Sequence, residues 1–168
     1  MSAAKGGPAV LSLWTFDDAT VGSTILHRHG RTVGADEHVW LAWVTNNASD
    51  LHGDAEAALR SEFGRPVVLG ALTVAIVIGL AEPAEWPAPD AARHRQRGWH
   101  SIRLTGAVFP GDTLRAESVI LAATSFDDGQ GGLVQRVVVG RTQAGIEVVR
   151  VEEERAVPAR SVFTTKDC

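Results

Sequence analysis

The rhythm of polar and apolar positions changes along the chain and marks out its elements. Residues 24–29 (TILHRH) read as a strand. From Asp36 to Val44 the apolar residues Trp40, Trp43 and Val44 fall at i, i+3 and i+4, and Asp36 and Glu37 place negative charge in a first turn, which predicts a helix. A polar stretch, Thr45 to Gly53 (TNNASDLHG), interrupts it. Asp54 then supplies a cap for a short helix from Ala55 to Phe63, ended by Gly64 and Pro66. The run from Gly70 to Ala81 (GALTVAIVIGLA) is apolar on every side and too long for an average strand, so it predicts a central helix enclosed by other elements.

Beyond that helix the grammar changes. Glu82 to Arg97, with Pro83, Pro87 and Pro89 followed by Arg93, His94, Arg95 and Arg97, reads as an irregular surface excursion. Strands follow at Trp99–Val108, Thr113–Thr124, Leu133–Thr142 and Ile146–Val157, separated by the turns Pro110-Gly111-Asp112, 127–132 and Ala144-Gly145. A long buried helix with an antiparallel meander predicts an α+β fold in a single domain.

Composition narrows the function classes. At 168 residues, 45% hydrophobic and 21% charged, the chain has the balance of one ordinary folded domain. A net charge of −4 and a pI near 5.8 give no global attraction to nucleic acid or an anionic membrane surface. The lone cysteine, Cys168, excludes an intramolecular disulfide framework and a multi-cysteine metal cage. The N-terminal residues carry no secretory pattern, and the longest apolar run falls short of the roughly 20 residues that cross a bilayer, so a cytoplasmic location is expected.

Candidate chemistry concentrates in the polar stretch, where Asn46, Asn47, Ser49, Asp50 and His52 crowd together ahead of the apolar helix. An imidazole exchanges protons near neutral pH, and a neighbouring amide or carboxylate can orient water beside it. A capped turn whose polar groups satisfy helix ends accounts for the same residues equally well. Asp50, two residues before His52, shares its side in an extended loop, or else caps the next segment. Ser49 is a water or substrate contact, or a turn hydroxyl. Trp40 and Trp43 line an acyl pocket, or pack in the core as helical tryptophans usually do. His27 and His29 lie on one strand face without a third metal ligand nearby, which favours ordinary strand side chains. Arg93, Arg95 and Arg97 could meet phosphates or an acidic carrier protein, although a solvated loop explains them. The acidic run at residues 152–154 reads as an exposed part of the last strand.

These residues carry a resemblance. Asn47-Ala-Ser-Asp-Leu-His52 resembles the hydratase motif G-D-x-N-P-[LI]-H of the MaoC-like, (R)-specific enoyl-CoA hydratases, with His52 on its histidine. Residues 16–22 (FDDATVG) resemble the family's F-E-D-x-x-V-G, residues 62–70 (EFGRPVVLG) its F-G-R-x-I-x-H-G, and residues 108–114 (VFPGDTL) its P-V-x-x-G-D-T-L. The likeness runs from about Phe16 to Pro158 and implies a hot-dog fold, an antiparallel sheet wrapped around one long helix. It also implies a homodimer with sites at the interface, and reversible addition of water to a 2,3-enoyl thioester on coenzyme A or acyl carrier protein. The thioester carrier is part of the substrate, and neither a metal nor another cofactor is expected.

Transferred by position, His52 is the family's acid/base histidine and Gly70 is the oxyanion-hole amide at the start of the central helix; Ser49, Trp43 and Leu69 are the expected substrate-binding residues. A helix N-terminus suits the Gly70 role, because its free N–H groups face a developing negative oxygen. The motif is degenerate. The family's aspartate falls on Asn47, its asparagine on Ser49 and its proline on Asp50. Asn47 can orient water but has no proton to exchange at neutral pH. Three outcomes follow: a hydratase or dehydratase using His52 alone or with Asp50; a repurposed isomerase, cyclase or thioesterase; or a non-catalytic binding subunit.

Overall fold

The computed structural model describes residues 14–82 and 95–163. Its strands are β1 (Thr24–Thr32), β2 (Arg95–Leu104), β3 (Thr113–Ser125), β4 (Gly131–Arg141) and β5 (Glu147–Pro158). They form one antiparallel sheet in the order β1-β3-β4-β5-β2. Four helices lie between β1 and β2: α1 (Ala35–Val44), α2 (Asp50–Gly53), α3 (Ala55–Leu59) and α4 (Gly70–Leu80). The predicted α+β architecture is therefore present, and α4 is the predicted central helix. Among the described residues no helix is long and apolar enough to cross a membrane.

The alternation of β3, β4 and β5 turns Leu114, Ala116, Val138, Val149 and Val151 toward α4, where Ile76 and Val77 meet them. Contact is close: a Cβ on Gly140 would collide with the Val77 side chain, so only glycine lets helix and sheet approach this far. The enclosure of α4 is incomplete, however. Ala71, Ala75 and Gly79, spaced by four, form an exposed outer face.

A second cluster, Ile120, Val134 and Val157 with Trp14 and Phe16, lies toward the start of the described chain. Beside the end of α4 lies an ionic layer that the sequence reading misjudged. Glu153, expected on the surface with its acidic neighbours, is 1% exposed, because strand alternation turns the middle residue of the run inward. Arg136 stands opposite it in the β4–β5 register. Its Nε donates to Glu153 Oε1 at 2.7 Å, and Nη1 donates to the carbonyl of Ala81 at 3.3 Å, supplying positive charge at the C-terminal end of α4. Arg155 reaches Glu82 at 2.9 Å.

Other boundaries differ for local reasons. Arg95 and Arg97, read as part of an excursion, belong to β2, whereas Arg93 and the prolines at 83, 87 and 89 lie outside the described residues. The helix expected over 55–63 stops at Leu59, where the Ser61 hydroxyl donates to the carbonyl of Ala58 and accepts from the Phe63 N–H, diverting the backbone. Trp40 and Trp43 are not core residues. They stand 62% and 72% exposed on the outside of α1.

Candidate active site

The polar stretch resolves into two kinds of residue. Asn46 takes the left-handed conformation (φ 54°) just past α1. Its N–H donates to the carbonyl of Trp43 at 3.1 Å, and that of Asn47 to the carbonyl of Ala42 at 2.8 Å, the paired bonds of a Schellman ending. The Asn47 Oδ1 then accepts from the Ser49 N–H at 3.1 Å, an Asx turn that starts α2. Both asparagines thus shape the chain, as residues of a capped turn do. Ser49 is the N-cap of α2 but makes no side-chain cap bond, and Asp50 is the first helical residue rather than the cap. The turn is helical, so Asp50 and His52 at i and i+2 point apart, not to one side as in an extended loop.

His52 is positioned differently. Its ring Nδ1 lies 2.8 Å from the carbonyl of Val67. A carbonyl only accepts, so Nδ1 carries the hydrogen and the neutral ring keeps its lone pair on Nε2. The return bond from the Val67 N–H to the carbonyl of Leu51, 3.1 Å, clamps α2 to this segment. The Val68 N–H donates to the carbonyl of Val108 at 2.8 Å, holding the segment extended as it enters α4. Val67 precedes Gly70 by three residues, so the anchor of the ring lies no more than about 10 Å from the start of α4.

His52 forms one wall of a cleft of about 450 Å³ shared with Asp36, His38 and Val39 of α1, Gly53 and Ala55, and Arg65, Pro66 and Pro110. Two sequence motifs far apart in the chain meet there: the Arg65 guanidinium lies 3.6 Å from the centroid of the Phe109 ring, which packs edge-on against Phe63 at 6.4 Å. The N–H of Phe109 donates to Asp112 at 2.9 Å, which fixes the turn carrying Pro110.

The remaining expected residues lie elsewhere. Asn47, Ser49, Asp50, Trp43, Leu69 and Gly70 are not part of the cleft wall. Leu69 is buried at the N-cap of α4, its carbonyl accepting from Leu72 and Thr73. Gly70 opens the helix, and a Cβ there would come within 2.5 Å of Leu104 Cδ1 on β2. His27 and His29 fall in the register irregularity of β1. His27 lies 2.8 Å from the Ser118 hydroxyl, and burial, then the charges of Arg136 and Arg155, hold its pKa down at about 4. Among the described residues no group of three or more metal-ligating side chains forms.

His38 belongs to none of the sequence motifs. It is 2% exposed, lines the same cleft as His52, and its Nδ1 is buried without a hydrogen-bond partner among the described residues. Burial, and next the charge of His52, push its pKa down, against the opposing charge of Glu37. A histidine where the spacing of α1 places an inward-facing side chain was the available signal.

The chain matches the family model for the MaoC like domain over residues 17–154. It is 28% identical over 144 residues to a beta-methylmalyl-CoA dehydratase of Chloroflexus aurantiacus, covering 83% of this chain and 35% of that protein. The chain thus spans about a third of that curated relative. Among solved structures, a MaoC-like dehydratase from Rhodospirillum rubrum superposes with a TM-score of 0.74 at 25% identity, covering 88% of this chain and 98% of the other. An (R)-hydratase from A. caviae involved in PHA biosynthesis gives 0.64 at 25% identity, covering 83% and 97%.

Proposed function

The chain belongs to the MaoC-like domain family with its hot-dog fold, and on that basis we propose that it is a hydratase or dehydratase of an enoyl or 3-hydroxyacyl thioester. The carrier is coenzyme A or acyl carrier protein, and it enters as part of the substrate. One observation carries the reading: His52, donating through Nδ1 to Val67, presents a basic Nε2 on the wall of an open cleft.

In the direction of hydration, His52 Nε2 takes a proton from water as the water oxygen bonds to C3. The π electrons of the 2,3 double bond pass to the thioester carbonyl oxygen. The Gly70 N–H, at the positive end of α4, is the group we assign to that oxygen; among the described residues no hydrogen-bond partner engages it. His52 then returns the proton to C2. No step is assigned to a metal or a redox group.

We also infer a homodimer. Strand β2 is a sheet edge carrying exposed Trp99, Ile102 and Leu104, and the outer face of α4 is bare and small. A second copy paired along β2 would cover the edge beside Gly70, through Leu104, and close the site.

The test is loss of the conjugated-thioester absorbance when the protein meets crotonyl-CoA and longer enoyl-CoAs. His52→Ala is expected to lower turnover by roughly 100- to 10,000-fold, the usual worth of a positioned acid/base group, with the fold retained. Absence of turnover on any enoyl thioester by the folded wild type, or full activity in His52→Ala, would overturn the reading.

A further inference from the structure

His38 occupies a position where an apolar side chain would satisfy packing. It is the fourth residue of α1, nearly sealed from solvent, and its neighbours in the helix face include buried Ala42. A buried ring nitrogen without a partner among the described residues loses its hydrogen bond to water and gains none, so the histidine weakens the fold where valine would not. Stability alone therefore does not account for it. The same ring forms part of the cleft wall alongside His52.

The protonation pattern of the two rings follows from their surroundings. A stranded N–H donor is rarer in folded proteins than a stranded acceptor, so the sealed Nδ1 of His38 holds the lone pair and Nε2 holds the hydrogen. His52 is the mirror case, with its hydrogen on Nδ1 toward Val67 and its lone pair on Nε2. The charged and titratable groups around His38 are His52 on α2, Arg65 across the cleft, and Asp36 and Glu37 on its own helix. Glu37 is engaged with Arg31 and with the N–H of Gly34 at 2.6 Å. Burial, and next the neighbouring imidazole, push His38 toward its uncharged form against the opposing charge of Glu37.

We propose that His38 is a second catalytic residue of this site: its Nε2–H donates to the oxygen that is added or expelled, while His52 Nε2 takes or returns that oxygen's proton. The proposal rests on the hydratase or dehydratase reading given above. One donor and one acceptor on the same cleft complement a single water, whose oxygen accepts from His38 and whose hydrogen goes to His52. Asn47, standing where the family has its aspartate, lies outside the cleft wall, its side chain anchored by the Ser49 N–H that donates to Oδ1. During addition, the O–H bond of water breaks, its proton moves to His52, and the C3–O bond forms. His38 keeps its own hydrogen throughout. The proton on His52 passes to C2, and both rings end as they began. In the reverse direction His38 stabilises the departing oxygen as His52 protonates it.

The experiment compares His38→Val, which fills the buried space without a donor, with His38→Gln, which restores a donor of similar reach, using crotonyl-CoA as substrate. His38→Val is expected to lower kcat at least 30-fold with KM within threefold, and His38→Gln to recover at least fivefold of that loss. In the unliganded wild type, ¹⁵N correlation spectra of the imidazoles are expected to show His38 as the neutral Nε2–H tautomer at pH 8. A kcat for His38→Val within threefold of wild type overturns the proposal, as does an Nδ1–H tautomer of His38 at that pH. Should His38→Val fail to fold, His38→Gln becomes the readout, and a folded His38→Gln with kcat below one hundredth of wild type overturns the proposal. Wild type inactive on every enoyl thioester rejects the hydratase reading and this role together. Wild type active, His52→Ala inactive and His38→Val active rejects the role of His38 alone.

Discussion

The His52 ring and the Val67 carbonyl meet at 2.8 Å across a separation of 15 residues, and this bond decides what the imidazole can do. It selects the tautomer, fixes the ring plane, and ties the one-turn helix α2 to the segment that becomes α4. The polar groups nearest in sequence, Asn47 and Asp50, contribute nothing comparable. Their backbone neighbours absorb the one, and the turn of α2 points the other away.

Asn47→Asp is expected to change turnover less than about threefold, because a carboxylate at this position would take over the Ser49 N–H and remain outside the cleft. Asn47→Ala removes the Asx turn and should lower unfolding stability by about 1 kcal/mol, measured by denaturant titration. A tenfold or greater rise in hydration by Asn47→Asp would return the water-orienting role to position 47.

A methyl group on Gly70 meets Leu104 Cδ1, the far end of a flexible side chain. Gly70→Ala should therefore fold with a melting temperature within a few degrees of wild type. It is expected to lower kcat at least tenfold by crowding the approach to the helix N-terminus. Adding Leu104→Ala makes room, and steady-state kinetics should then return to within threefold of Leu104→Ala alone.

The β2 edge is tested by Ile102→Lys with Leu104→Lys. Two ammonium groups on a pairing edge oppose self-association, so light scattering after size exclusion should find a monomer where wild type is a dimer. An unchanged dimer places the interface elsewhere.

Removing one member of the Arg136–Glu153 pair leaves a buried charge without its partner. Arg136→Met or Glu153→Gln should each cost about 3–5 kcal/mol by denaturant titration, and Arg136→Met with Glu153→Leu should recover most of that loss. Burial raises the Glu153 pKa, but Arg136 and then Arg155 outweigh it, so the net shift is downward. A lowered folded value means the pair's stabilisation is present above the ordinary carboxylate pKa and is lost as pH falls through the folded one.

His27 makes stability depend on pH in a higher window. Its folded pKa is lowered from 6.5 to about 4, so between those values the unfolded chain binds a proton that the folded chain refuses. Stability must rise with pH across that interval and fall on acidification from 6.5 toward 4. His27→Gln should flatten this slope in unfolding free energies measured at pH 5 and pH 7. An unaltered slope would show that another group carries it.

Sequence alone determined the elements whose signals are local. The apolar run became α4, the turns at 110–112, 127–132 and 144–145 separated β2 through β5, and Asp54 capped α3 through the N–H groups of Glu56 and Ala57. Periodicity and turn chemistry act over a few residues, and so they can be read from a few residues. It also singled out His52. Tertiary structure decided what depends on partners distant in the chain. Glu153 is buried because Arg136 of the adjacent strand meets it. Trp40 and Trp43 are exposed because α1 turns Ala42 and His38 inward instead. His38 joins His52 because α1 and α2 fold against one cleft, a proximity that no spacing encodes. Burial and charge pairing are properties of the assembled molecule, and so the place of His38 beside His52 becomes visible only once the chain has folded.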